Sequence, residues 1–329
     1  MLWAIIDIFI EGENILHSND VTLWGKKDAL IGCIIVTYNR LEKLKKALKC
    51  YSEQIQAPQY VIVVNNGSTD GTEKFLNEWK THAEKFEKYT IYSEVNTGGS
   101  GGFYLGEKKA LELDADWIMI SDDDAYPESD YLQGMQAYIE SHLDENLSIV
   151  CGKVVEQDSY NNFHRGYLVS KWSRRIQLNV PEDDFKNEYF YPDFTSYVGI
   201  VVNKLKMEQV GLVRRDYFIW QDDVEHSYRL SKVGKIVGIS KYQMVHDTMM
   251  NYNELSWKSY YGWRNFIAFR KTHFKKYFIL SLFVSILKAI LCPLRGKSKV
   301  EVILRMRAIR DGLLGNMGMN EIYKPGWKP

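Results

Sequence analysis

The chain has 329 residues, 45% hydrophobic and 26% charged, with 23 glycines and seven prolines; this is enough for one large domain or a domain with an appendage, and it excludes a disordered or fibrous protein. Formal net charge is zero, but from Lys258 onward 15 Lys and Arg stand against three Asp and Glu, leaving 27 against 39 in the rest. Such a basic segment points to an anionic partner, for which a membrane surface and nucleic acid are the usual candidates.

The opening MLWAIIDIFI is apolar but has no basic start and soon meets Asp7, Glu11 and Glu13. It reads as an extra strand or packing segment and not as a secretory signal. Cys33, Cys50, Cys151 and Cys292 form no CxxC pair, so no zinc or redox motif is indicated and a reducing cytoplasm fits. From Ala29 to Asp70 the pattern is strand, helix, strand: LIGCIIVTYN, LEKLKKALKCY and YVIVVNN. Continuous apolar strands around one amphipathic helix imply a parallel sheet covered on both faces, with ligands at the strands' carboxyl ends. Residues 65–72, NNGSTDGT, fall at such an end. They suit a turn and helix cap, or hydrogen bonds to a nucleotide.

A third strand, YTIYSEV, leads into NTGGSGGF and then a helical stretch, YLGEKKALEL. Glycines let the backbone approach a ligand and open a helix whose N-terminus favours negative charge. The alternative is a flexible turn. No GxGxxG follows the first strand, which disfavours a dinucleotide-binding dehydrogenase. The apolar run Trp117–Ile120 ends in Ser121-Asp122-Asp123-Asp124. Clustered like charge at a strand end reads as a metal and diphosphate site, with a solvated turn as the alternative.

Farther on, GIVV at 199–202 reads as a core strand, and Asp222-Asp223 in FIWQDDVEHSYR open a helix. These two acids are either N-terminal dipole partners or a general base. His246 closes the strand-like KIVGISKYQMVH, where metal ligands can converge, although a lone histidine is often structural. Residues 277–292 are almost wholly apolar, yet 16 residues fall short of the roughly 20 that span a bilayer. Ser281, Ser285 and Lys288 share one helical face, and Lys275, Lys276, Arg295, Lys297 and Lys299 flank the run. This resembles an interfacial helix lying on anionic lipid, with helix packing or a homo-oligomer interface as the other reading. A second amphipathic helix covers 300–314, and Trp257, Tyr260, Tyr261 and Trp263 could form an aromatic belt or sugar platforms.

IIVTYNR, VVNNGSTDGT, NTGGSGGF, SDDDAYP and WQDDVEHSYR occur in the order found in family 2 glycosyltransferases of the GT-A fold. The resemblance covers roughly residues 31–250 and looks most like the bacterial galactofuranosyltransferase and rhamnosyltransferase branch. It implies an α/β fold: a mixed, mostly parallel sheet flanked by helices, with an N-terminal extension at 1–30, a catalytic domain at 31–256 and a C-terminal basic helical region at 257–329. In that family, the first acidic motif binds a divalent cation and the donor diphosphate, which maps onto Asp122 and Asp124, and a strand-end histidine completes the metal shell, which maps onto His246. The catalytic base of the later motif maps onto Asp223, with Asp222 adjacent.

Thr37, Tyr38, Asn39 and Arg40 match the nucleotide-contacting loop, and Gly98, Gly99, Gly102 and Asp123 fall beside the donor. The family usually carries an aspartate at the position of Asn65 or Asn66, so the base preference is open; an asparagine carbonyl still accepts a base proton. Tyr197 and Trp220 fall beside the sugar or acceptor. The expected reaction is inverting, Mn²⁺- or Mg²⁺-dependent transfer of a hexose, first galactofuranose from its UDP donor, onto a glycan or polyprenyl-diphosphate-linked acceptor at the cytoplasmic face of the cell membrane. Rhamnose from a dTDP donor, or silent sugar-nucleotide binding, are the alternatives. Nucleic acid is not expected, since the acidic clusters repel phosphate and no nucleic-acid module is present.

Overall fold

A computed structural model of the protein describes residues 28–156, 159–160, 162–171, 174–248 and 254–329. The expectation for the opening segment concerns residues that, up to 27, lie outside these. In chain order the first half runs β1 (Ile31–Thr37), α1 (Leu41–Ser52), β2 (Tyr60–Asn66), α2 (Thr72–Trp79), β3 (Glu87–Ser93), α3 (Gly98–Leu111), β4 (Trp117–Asp122), β5 (Ala125–Pro127) and α4 (Tyr131–Ser141). The second runs β6 (Leu147–Glu156), β7 (Ser159–Tyr160), β8 (Arg165–Lys171), β9 (Arg174–Asn179), β10 (Tyr189–Phe190), β11 (Phe194–Thr195), β12 (Ile200–Asn203), α5 (Lys204–Val210), α6 (Asp222–Leu230), β13 (Lys235–His246), α7 (Trp257–His273), α8 (Lys275–Ile290) and α9 (Lys299–Leu314).

The main sheet has the order β10-β13-β6-β12-β4-β1-β2-β3. Strands β1, β2, β3 and β4 are parallel, β12 runs antiparallel between β4 and β6, and β13 is parallel to β6. Every residue of β1 and β2 is buried, as expected where helices cover both faces. Alternation divides β1 between two cores. Cys33 and Ile35 pack with Leu44, Leu48 and Tyr51 of α1, while Ile34 and Val36 pack with Phe103 and Ala110 of α3. A smaller sheet, β11-β8-β9, joins α6 and α7 through Leu168, Phe194, Val224, Tyr228 and Phe269.

Two elements differ from the sequence reading. The glycine segment is itself the first turn of α3, which begins at Gly98. A Cβ at Gly102 would stand 2.5 Å from Val36 Cγ1, so the missing side chain lets the helix lie directly on β1. Tyr260 and Tyr261 form no belt: both are buried on α7 among Phe218, Leu304 and Tyr323, with their hydroxyls on Asp311 Oδ2 at 2.7 Å and the Tyr323 carbonyl at 2.8 Å. Among the described residues, no helix is long and apolar enough to cross a membrane.

Candidate active site

The register sets Thr37 beside Asn65 and Val36 beside Asp122, bringing the carboxyl ends of β1, β2 and β4 to one edge. Of the three consecutive acids, Asp123 turns inward. It accepts hydrogen bonds from Thr37 Oγ1 at 2.7 Å and Arg40 Nη1 at 3.0 Å. Arg40 also donates to Asp124 Oδ2 at 2.7 Å, and Lys43 Nζ lies 3.6 Å from the same oxygen. His246 ends β13 with Nε2 3.4 Å from Asp124 Oδ1 and Nδ1 2.5 Å from Glu156 Oε1. Glu156 also meets His164 Nε2 at 2.9 Å, and His164 Nδ1 lies 2.7 Å from Ser196 Oγ.

Ligand atoms of Asp122, Asp124 and His246 lie within 4.8 Å of one another. Two carboxylates and an imidazole suit a divalent ion such as Mn²⁺, and the electrostatics fit as well. Burial, and then Asp124, push Asp122 up to about 7. Burial pulls His246 down, but its bonds to Asp124 and Glu156 prevail and raise it to about 9. Burial also pushes Asp124 up, yet His246 and Arg40 hold it below the usual carboxylate range. A divalent cation held here would offset the charge of Asp122 and Asp124. The second triad, Glu156, His164 and His246, shares His246 and orients it. A carboxylate on Nδ1 holds the proton there and leaves Nε2 to face a cation.

Asp222 and Asp223 open α6 after an unusual turn. Phe218, Trp220 and Gln221 have φ of 69°, 64° and 66°, a left-handed backbone that costs on the order of 1–3 kcal/mol per non-glycine residue. Helix α7 holds the turn. Asn265 Nδ2 donates to the carbonyls of Tyr217, Ile219 and Trp220 at 2.9, 3.0 and 2.8 Å, and Arg264 Nη2 to that of Tyr217 at 2.8 Å. From the other side Ser100 N donates to the Phe218 carbonyl at 3.2 Å. Gly98, at φ +77°, is required there because a Cβ would stand 2.0 Å from that oxygen.

The two acidic motifs, a hundred residues apart, line one cleft of about 440 Å³, with Arg40, Gly99, Tyr197, Trp220, His246 and Lys258 around them. Asp222 is buried, whereas Asp223 is only partly so. Burial, then Asp222, raise Asp223 to about 8. Tyr197 is among the residues lining the cleft, with its ring against Phe103, while its hydroxyl donates to Glu107 Oε1 at 3.0 Å and bonds His226.

Other residues singled out by sequence lie behind the cleft. Thr37, Asn65, Asn66, Gly98, Gly102 and Asp123 are buried and are not among those lining it. Asn66 ties two loops together, donating to the Gly98 carbonyl at 2.8 Å and accepting from Thr97 N at 3.0 Å. Asn39 Oδ1 accepts from Thr69 N at 2.7 Å, and Tyr38 is exposed. Sequence reading missed Glu156, His164, Lys258, Arg264 and Asn265. Only Glu156, an acid ending the apolar strand LSIVCGKVVE, left a signal of the kind that marked Asp122.

A parallel-strand edge carrying an acidic triad with histidine, faced by a second acid pair across one cleft, defines a GT-A glycosyltransferase. The chain belongs to glycosyl transferase family 2, whose profile matches residues 33–198. It is 26% identical over 208 residues to galactofuranosyltransferase GlfT1 of Mycolicibacterium smegmatis, covering 62% of this chain and 66% of that one. Against GlfT1 of Mycobacterium tuberculosis H37Rv it is 28% identical over 207 residues, covering 61% and 64%. The chain thus spans just under two thirds of these relatives. Abequosyltransferase RfbV of Salmonella typhimurium matches at 32% over 143 residues, covering 42% and 41%. The fold is similar to that of GalNAc-T7, solved with UDP, GalNAc and Mn²⁺, at TM-score 0.62, 12% identity, and coverage of 88% of this chain and 57% of that one. S. aureus TarS 1-349 aligns with TM-score 0.58 at 16% identity, covering 86% and 80%.

Proposed function

We infer that this protein transfers a hexosyl residue from a nucleotide diphosphate donor to a hydroxyl with inversion, and that the donor is UDP-galactofuranose. The observation that carries the reading is the single cleft onto which Asp122, Asp124 and His246 converge from one side and Asp223 from the other. The sugar itself rests on the likeness to the galactofuranosyltransferases. Asp122, Asp124 and His246 would hold Mn²⁺ or Mg²⁺, which when bound offsets charge on a departing diphosphate. Arg40 and Lys258 add positive charge at the same wall. Asp223 takes the acceptor proton: it is the more accessible of the pair, and its carboxylate is fixed by the Val224 N–H at 2.7 Å. Asp222, behind it, disfavours a second negative charge and so makes Asp223 the more basic.

The acceptor is a glycan carried at a membrane face. Helix α8 supports this: Ile279, Phe283 and Ile290 are 80%, 61% and 59% exposed in a segment flanked by lysines. A panel of UDP- and dTDP-sugars with Mn²⁺ or Mg²⁺, read as release of nucleoside diphosphate, tests the reading. Release from UDP-galactofuranose above all others is expected; release from dTDP-rhamnose alone would replace the sugar, and release from no donor would remove the enzyme.

A further inference from the structure

Behind the cleft wall lies a second cluster of titratable groups, which the proposed reaction does not use. Glu107 on α3, Tyr197 ahead of β12 and His226 on α6 are all buried, Glu107 and His226 completely. Both oxygens of the Glu107 carboxylate are engaged: Oε1 accepts from the Tyr197 hydroxyl at 3.0 Å and Oε2 from Val213 N at 2.8 Å. Tyr197 has one proton to give, and with it directed at Glu107 its oxygen accepts from His226 Nδ1. His226 Nδ1 also lies 3.3 Å from Glu107 Oε1, whereas Nε2 is buried with no hydrogen-bond partner among the described residues. The imidazole is therefore held through one nitrogen alone.

His226 stands one turn beyond Asp222 on the same face of α6, and Glu225 on a different one. Glu225 is tied to α7, with Oε1 2.9 Å from His273 Nε2, and its Oε2 accepts from Arg229 Nε at 3.0 Å. The Arg229 guanidinium in turn donates to the carbonyls of Gly211 and Leu212 at 2.8 and 2.9 Å. The segment 211–213, which leads into the turn before Asp222, is thus clasped between Arg229 of α6 and Glu107 of α3. Rotating α6 about its own axis would swing Asp223 along the cleft wall, and buried anchors on two of its faces oppose that rotation. The anchor toward α3 depends on Glu107. Burial above all pushes Asp222 up, and Glu107 adds to the rise, so the acid pair also feels this carboxylate's charge.

We propose that Glu107 is a positioning residue: through Tyr197 and His226 on one oxygen and Val213 on the other, it sets the rotation of α6 and hence the direction in which Asp223 faces the substrate. The part given to Asp223 rests on the glycosyl-transfer reading; the anchoring of α6 does not. A glutamine at 107 keeps the shape but offers one acceptor in place of two. If its oxygen takes the Val213 N–H, its amide donates to Tyr197, the hydroxyl turns to His226 Nδ1, and the imidazole proton is driven onto Nε2, where no acceptor waits. Turned the other way, its amide meets the Val213 N–H donor to donor. Either arrangement breaks the anchor without opening a cavity.

The test compares Glu107→Gln, Tyr197→Phe, which keeps the ring and removes only the hydroxyl, and the double variant, each in the full chain with Mn²⁺. Three quantities are read: the rate of UDP release from UDP-galactofuranose with water as acceptor, the UDP dissociation constant by calorimetry, and amide hydrogen exchange over residues 218–230. In each single variant kcat should fall about tenfold through a misdirected Asp223, with UDP affinity unchanged and faster exchange confined to 218–230. The double variant should fall no further, because both substitutions break one network. Unchanged kcat in both single variants would overturn the proposal, and so would a loss of UDP affinity matching the loss of rate, which marks general damage to the fold. Rate losses that multiply in the double variant would show two separate roles and overturn the network as the route. Failure of the glycosyl-transfer reading would show separately, as no Mn²⁺-dependent UDP binding or release by the unaltered protein, and the anchoring of α6 would then stand or fall on the exchange.

Discussion

Asp223 and Glu156 are the residues whose roles separate most cleanly by experiment. On the proposed mechanism, replacing Asp223 with Asn removes the proton acceptor but no cation ligand. Turnover should fall about 10²–10⁴-fold, the usual worth of a general base, while calorimetry finds UDP and Mn²⁺ binding retained; loss of donor binding would reassign it. The sign of its pH dependence is set by the raised value of about 8. The protonated form cannot accept a proton, so turnover is present above that pH and lost as pH falls through it. A pH profile of kcat should show this acidic limb, displaced downward at saturating Mn²⁺ because the charge of Asp122 contributes to the rise. Glu156→Gln keeps the shape but loses the carboxylate on His246 Nδ1. Affinity for Mn²⁺ in the presence of UDP should drop about 10–100-fold, read by titration of free Mn²⁺; an unchanged affinity would leave Glu156 without a part in the metal site. The first acidic motif stood out in the sequence because like charges crowded at an apolar strand's end have few other uses; the second, at a helix start, was singled out by the family resemblance. The inward turn of Asp123 was not legible, since only the fold brings Thr37 and Arg40 to it.

At the scale of elements, the turn 217–221 and helix α7 behave as one device. Three left-handed residues in four positions persist only where their surroundings over-determine them. One amide, Asn265, bonds three of that turn's carbonyls. Asn265→Ala should therefore lower kcat by about tenfold or more through a misdirected Asp223, with the UDP dissociation constant unchanged because the donor side stands on β1, β2 and β4. A fall in UDP affinity of the same size would instead mean general damage to the fold. The sequence announced neither partner. Trp220-Gln221-Asp222-Asp223 reads as a helix start, and a single asparagine in WRNFIAF carries no periodicity that betrays its contacts. That the glycines lie within α3 and not only ahead of it was not legible for a related reason: glycine is a poor helix former on its own, and only β1 packed against it turns that defect into a fit.

For the whole molecule, the 257–329 segment packs against the cleft and is not merely appended to it, since α7 holds the 217–221 turn and packs Phe269 against Val224 and Tyr228 of α6. Membrane contact is expected through the outer face of α8 alone. Substituting Ile279, Phe283 and Leu287 together by Asp should abolish flotation with anionic liposomes while leaving UDP binding intact; flotation that survives would move this surface to a contact between copies of the chain. The sequence by itself determined the buried parallel strands, the helices between them and the chemical kinds of residue at the strand ends, because apolar periodicity and crowded charge are local properties. Tertiary structure alone decided which acids share a cleft, which glycines and asparagines serve packing, and which aromatics are core. Those roles depend on partners tens to hundreds of residues away, and a buried polar group has no assignable function until the fold supplies the atom that satisfies it.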